Sequence, residues 1–442
     1  MRSSLFIAAA NHDFNVKTLV VPVAGEAKGR GGPPVIVLPL PDRQQILSAV
    51  SEMLSGPRWR QRISAAYPLP GPARLAPAAL AAAAISALRP APAAPVHVAR
   101  SYLAPLGLAI AERLGSPWAT LDLDDDDEQV TRALGDLAEA AAYGRLIGVF
   151  GPLFQAVALA APGEAAAVGR RHGFATAVLP NAVAAAAGAG PAQADSSRCD
   201  QAQQETFAPL IGAGNGLAGP GIDAATRGGQ PQRGGQPERG GQPERGGDSP
   251  ISVLFVGNLT YPPNAEAAIR LVEDVLPLLR RCADRPVTVT LAGDLGPGGS
   301  VRSLGDRPGV RVTGFVPDLE PYYRAADVMV APLAAGGGTR IKLLEALAHG
   351  LPVVTSTIGA AGLEVSDGVH LLIADSAAAM ARATARVVTD LALRERLAAA
   401  GRQLVASRYS HDAVIPLIRG FFADAAGRSP LDSQRQVAAV VR

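Results

Sequence analysis

This chain of 442 residues has very little lysine, few cysteines and almost no charge imbalance. Lysine occurs only as Lys17, Lys28 and Lys342 in a chain rich in arginine, so the lysine at 342 runs against the composition. Cys199 and Cys282 are the only cysteines, too few for a disulfide framework and in unlike contexts, which points to a reducing cytoplasm. A formal net charge of +2 gives no footing for general nucleic-acid binding. Long hydrophobic runs are also missing. The longest candidate, residues 146–161, is broken by Gly148, Gly151, Pro152 and Gln155, so no transmembrane helix is predicted. LFIAAA near the start is followed at once by Asn11, His12 and Asp13, which argues against a signal peptide.

The length suits two or three domains, and four regions stand out. Residues 1–184 alternate apolar strands with helical patterns, which predicts a parallel sheet. Strands are expected at Val16–Val23, Pro34–Leu38, Val96–Ala99, Trp118–Leu123, Gln155–Ala160 and Thr176–Leu179. Residues 185–250 are low in complexity and contain RGGQPQRGGQPERGGQPERGGD, a six-residue repeat with no apolar residue to bury. Glu238 and Glu244 offset its arginines and no aromatic is interleaved for base stacking, so it reads as a disordered insertion rather than an RNA-binding segment. The whole segment, residues 185–250, would span about 45 Å root-mean-square if flexible. Residues 251–408 form a second α/β region, with an amphipathic helix over Asn264–Arg281. Residues 409–442 hold a terminal helix over Ser410–Ala426 and a tail expected to be loose.

The most informative stretch is GGGTRIKLLEALAHGLPVVTS, Gly336–Ser356. It follows an apolar strand pattern, DVMVAPL. Gly336, Gly337 and Gly338 precede Thr339, read as an N-cap, and then strong helix formers to His349. Gly350 and Pro352 end the helix and begin the next strand. A glycine turn opening a helix directs free N–H groups and the positive end of the helix dipole at one spot, where anions bind. Arg340 and Lys342 add charge there, and Glu345 is placed to accept hydrogen bonds from sugar hydroxyls.

At these residues the chain resembles the family 4 (group 1) retaining glycosyltransferases. Their signature is a helix containing Glu followed by Ala-x-Ala-x-Gly-x-Pro-Val-Val, matched by Glu345, Ala346, Ala348, Gly350, Pro352, Val353 and Val354. The resemblance runs from Ile251 to about Arg408. It implies the GT-B fold: two Rossmann-like α/β domains with parallel sheets facing a cleft, the first on the acceptor side, the second binding the nucleotide sugar, and a C-terminal helix crossing back. It implies that Glu345 contacts the donor ribose. Many members carry a second glutamate eight positions earlier; here that position is Gly337, and the carboxylate is absent.

The resemblance also places Gly257 and Asn258 at the donor, where many members have Arg and Lys, so charge compensation shifts to Arg340 and Lys342. It seats the nucleotide base near Gly314 and Phe315. Phe315 reads as a core residue, with an apolar wall for the base as the alternative. In the first domain, Arg100 and the pair Asp122 and Asp124 are the expected acceptor contacts. The run DLDDDDE reads as a strand end and helix cap rather than a metal site. His97 reads as structural, and Leu179–Val183 (LPNAV) as the turn that closes the first domain.

GT-B N-terminal domains open with a strand, a glycine-rich loop and a helix, whereas MRSSLFIAAANHDFNVKTLVVPV reads as the end of that helix leading into the second strand. The lost strand would leave a central slot in the sheet. Either further chain precedes this one or this is a decayed copy. The resulting expectation is retaining transfer of a sugar from a nucleotide-diphosphate donor to a glycan or lipid-linked acceptor, with the nucleotide sugar as co-substrate, no other cofactor and no metal. The expected place is the cytoplasm, with peripheral contact at the inner membrane face. A non-catalytic sugar-nucleotide binder and a nucleotide-sugar epimerase are the alternatives.

Overall fold

The computed structural model describes residues 2–13, 16–20, 35–37, 50–51, 54–75, 78–184, 249–296, 301–427 and 439–441. The repeat-bearing segment, with Cys199, lies outside them; Cys282 is an exposed free thiol. Two parallel sheets organise the described residues. The first takes β1 (Lys17–Val20), β2 (Val35–Val37), β3 (Val96–Ala99), β4 (Ala119–Asp124), β5 (Ala156–Leu159) and β6 (Ala177–Val178). The second takes β7 (Ile251–Val256), β8 (Val287–Ala292), β9 (Val310–Val312), β10 (Val328–Ala331), β11 (Val353–Thr355) and β12 (Leu372–Ile373), in the order β12-β11-β10-β7-β8-β9. Helices cover both faces, so the central strands are buried throughout: β4 (ATLDLD) along all six residues, its threonine and aspartates included, and the apolar β10 along all four.

One sequence expectation is overturned in the first sheet. Its order is β2-β1-β13-β3-β4-β5-β6, where β13 is Ala439–Val441 from the far end of the chain. This strand runs parallel to both neighbours, aligning Val440 with Thr18 on one side and His97 on the other. The slot expected to be empty is therefore filled, and the tail expected to be loose is a strand over these three residues. The cause is the backbone: β1 and β3 otherwise present two facing rows of unpaired N–H and C=O groups, a ready template for an added strand.

The helices that matter for the site are α1 (Arg2–Asn11), α2 (Asp127–Ala133), α3 (Pro162–His172), α4 (Pro262–Arg270), α5 (Ile341–Ala348) and α6 (His411–Gly427). A π-type turn at Leu271–Val275 joins α4 to a further helix, Leu276–Cys282, so the predicted amphipathic helix is present with one irregular turn. Each sheet has its own apolar core. A third cluster ties the chain's ends together: α6 crosses to the first domain, packing Val414, Ile418, Phe421 and Phe422 with Leu5, Phe6 and Trp118. Phe422 meets Phe6 and Trp118 at ring-centroid distances of 6.0 and 5.8 Å. Leu417 on the same helix is 48% exposed. The LPNAV turn meets the start of this crossing, with the Val183 N–H donating to Tyr409 O at 2.8 Å.

Candidate active site

Each domain presents the C-terminal ends of its strands to the other, and the glycine loop after β10 sits at that meeting. Arg340, not Thr339, occupies the N-cap position of α5, and no side chain caps the helix. Thr339 Oγ1 is buried without a hydrogen-bond partner among the described residues. The N-cap expectation for Thr339 thus fails, because Gly338, at φ +70°, turns the chain one residue later than the sequence suggested. Arg340 is 8% exposed. Its guanidinium donates to the carbonyls of Gly337 and Gly338 and, at 2.7 Å, of Gly336, with a longer bond to Ile358 O. Burial lowers its pKa from the ordinary arginine value, with Asp125 and Glu164 opposing. Arg340 therefore braces the loop. With three carbonyls drawn inward to it, the Gly338 N–H faces the other domain.

Lys342 is the second residue of α5 and lies beside Gly257. Its Nζ donates to Asn264 Oδ1 at 2.6 Å and stands 4.7 Å from the centre of the Phe255 ring. A Cβ added at Gly257 would lie 2.8 Å from that ammonium, so the glycine at the end of β7 is what gives Lys342 its space. Burial pushes the Lys342 pKa down to about 7, with Arg340 adding to the shift and Glu345 opposing it. Glu345 accepts from the Tyr323 hydroxyl at 2.7 Å, and burial raises its pKa. Asn258 Oδ1 accepts from Thr260 N and Oγ1, while its carbonyl accepts from Asn264 Nδ2, which shapes the turn after β7.

Gly314 and Phe315 follow β9. Phe315 is 69% exposed, which corrects the expectation of a core residue and leaves an apolar surface beside Gly314. Gly314 itself, at φ +71°, has open space where a side chain would be.

The first domain brings carboxylates to this place. Arg100, at φ +92°, pairs with Asp124 at 3.0 Å; Asp124 also accepts from Asn181 at 3.3 Å. Asp122 lies 2% exposed inside β4 and accepts from the Asp124 N–H. Asp126 caps α2 as the acidic run suggested, and Arg171 ties Asp126 to Glu128 at 2.8 and 3.0 Å. His97 is structural: buried, bonded to Thr120 Oγ1 at 2.9 Å and stacked on Phe6. Two residues that the sequence did not single out face the glycine loop. Glu164, in the first turn of α3, accepts from the Gly338 N–H at 2.6 Å. Asp125 packs against Gly338 so closely that a Cβ there would collide with its carboxylate. Burial raises both carboxyls' pKa values, that of Asp125 strongly and with Asp124 adding. Glu164 had no signal in the sequence, because its contact joins positions 174 residues apart; Asp125 lies in the acidic run that was read only as a strand end and helix cap.

Comparison with known proteins places this geometry. Residues 250–390 match the family model described as glycosyl transferases group 1. A phosphatidyl-myo-inositol mannosyltransferase from Mycobacterium leprae is 33% identical over 163 residues, 35% of this chain and 41% of that protein. A lipopolysaccharide core biosynthesis glycosyltransferase from Rhizobium meliloti is 32% identical over 151 residues, 34% of this chain and 42% of that protein. The matches thus span about two fifths of these curated relatives. Among solved structures, sucrose-phosphate synthase from Thermosynechococcus elongatus superposes with a TM-score of 0.60 at 15% identity, covering 96% of this chain and 92% of that one. HepE from Anabaena, in complex with UDP and glucose, gives a TM-score of 0.55 at 14% identity over 92% of this chain and all of that one. The segment 250–390 belongs to the group 1 glycosyl transferases, carried on a chain with the GT-B fold.

Proposed function

We propose that the protein transfers a sugar, with retention, from a nucleotide-diphosphate donor to a glycan or lipid-linked acceptor. The observations that carry this reading are the Gly338 amide, which faces the first domain, and the Lys342 ammonium four residues further on in the same loop-to-helix segment, held by Asn264 within the stretch that matches the group 1 glycosyl transferases. Bond cleavage leaves negative charge on the departing diphosphate. An oriented amide and an ammonium fixed by Asn264 and Phe255 stabilise that charge without reorganising. Arg340 holds the loop in the required shape. Glu345, steadied by Tyr323, takes the ribose hydroxyls, and Phe315 beside Gly314 gives the base an apolar face. Asp122, Asp124 and Arg100 form the acceptor side. Among the described residues no helix is long and apolar enough to cross a membrane; a lipid-linked acceptor would be met by peripheral contact. The likeness to the mannosyltransferase and the lipopolysaccharide-core enzyme supports acceptors of the glycolipid or polysaccharide class.

The test is incubation of the purified protein with UDP-, GDP- and ADP-linked sugars and lipid or oligosaccharide acceptors. Acceptor-dependent nucleotide release with an α-linked product from an α-linked donor supports the reading. Binding without release contradicts it.

A further inference from the structure

We propose that Glu164 is a latch: its carboxylate holds, from the opposite domain, the backbone amide that a donor diphosphate would take, so the closed ligand-free state and donor binding exclude one another. The inference rests on the reading of the glycine loop as a diphosphate cradle. Glu164 is anchored on both sides, with Oε1 accepting from Gly338 N at 2.6 Å and Oε2 from Asp126 N at 3.2 Å. It therefore bridges the tip of the acidic turn to the tip of the glycine loop. The surrounding space is filled in the same way. A Cβ at Gly337 would collide with Val130 and lie 3.4 Å from Glu164 Oε1, and Gly362 packs against Ala161 and the Gly338 carbonyl.

A carboxylate on a loop amide has the charge and the acceptor geometry of one edge of a phosphate. Two anions cannot share one N–H in a dry interface. Arg340 does not offset this, because its guanidinium is spent on the loop carbonyls. A donor reaches the cradle only when Glu164 withdraws. Each molecule of donor that binds must break this bridge, and its apparent affinity is lowered by the population of the latched state.

The experiment compares wild type with Glu164→Ala and Glu164→Gln. Calorimetry with UDP-glucose and GDP-mannose as probes reads affinity, and hydrogen exchange reads protection of the peptide over residues 336–342 in the ligand-free protein. Circular dichroism confirms that each variant is folded. The expected result is roughly tenfold tighter binding by Glu164→Ala together with faster exchange at Gly338. Glu164→Gln, which keeps an acceptor but loses the charge, falls between. A folded Glu164→Ala that binds no tighter than wild type, or whose loop exchanges at the wild-type rate, overturns the latch. If wild type and variants alike bind neither probe, the diphosphate reading fails and the latch with it.

Discussion

Lys342 offers the sharpest perturbation because its pKa ties binding to pH in a definite direction. In the ligand-free protein it titrates at about 7. A diphosphate beside it favours the charged form and raises that value. At pH 8 about nine tenths of Lys342 would be neutral before binding and charged after, so binding takes up about 0.9 proton. A sugar diphosphate has no ionisation of its own near neutrality, so the uptake reports the protein. Between pH 7 and pH 9 the protonated fraction falls from about one half to about one hundredth, and donor affinity should weaken roughly 50-fold, or on the order of 2 kcal/mol.

Calorimetry in HEPES and in Tris, whose ionisation enthalpies differ, measures the uptake directly. Lys342→Met should abolish it, which separates this lysine from the carboxyls of Asp125 and Glu164. The same lysine makes a claim on stability. Its folded pKa lies below its unfolded value of 10.5, so the unfolded chain binds more protons between pH 7 and pH 10.5 and stability rises with pH across that window. The full effect is on the order of 5 kcal/mol, and the melting temperature of Lys342→Met should be correspondingly less sensitive to pH. Flat donor affinity from pH 7 to 9, or equal enthalpies in both buffers, would refute the reasoning.

Four further outcomes are expected. Gly338→Ala should weaken nucleotide-sugar binding and lower the melting temperature, because a Cβ there meets Asp125 at a φ of +70° that costs a non-glycine residue about 1 kcal/mol or more. Tyr323→Phe should lower stability by about 1–3 kcal/mol in urea titration, because it strips the partly buried Glu345 carboxylate of its hydroxyl donor. Phe315→Ala should leave the unfolding midpoint within about 0.5 kcal/mol of wild type, since the ring is exposed, while raising the dissociation constant for the nucleotide. Val440→Pro should destabilise the first domain, seen as increased hydrogen exchange in β1 and β3, because it removes a backbone donor from the strand between them.

Much of the fold was legible because short apolar-rich segments between helical patterns mark buried parallel strands: β3 falls where the sequence placed it, and β4 and β5 within a residue or two. The glycine loop and α5 were legible for a related reason, since glycines before a helix-forming run are local signals. What escaped was non-local. Glu164 is an ordinary first-turn acid on α3, and nothing in its neighbours announces a bond to Gly338. Arg340 read as an open cation because sequence cannot show where a flexible guanidinium points, and burial turns it onto its own loop. The tail escaped because three residues carry too weak a pattern to mark a strand, and their place is set by the open edges of β1 and β3.

The central claim is that a diphosphate sits between the Gly338 amide and the Lys342 ammonium. Crystallography of the protein with a bound nucleotide sugar tests it most directly. The account predicts phosphate oxygens within hydrogen-bond distance of Gly338 N and Lys342 Nζ, with the ribose at Glu345. A nucleotide bound elsewhere, with Glu164 still on Gly338, would contradict it.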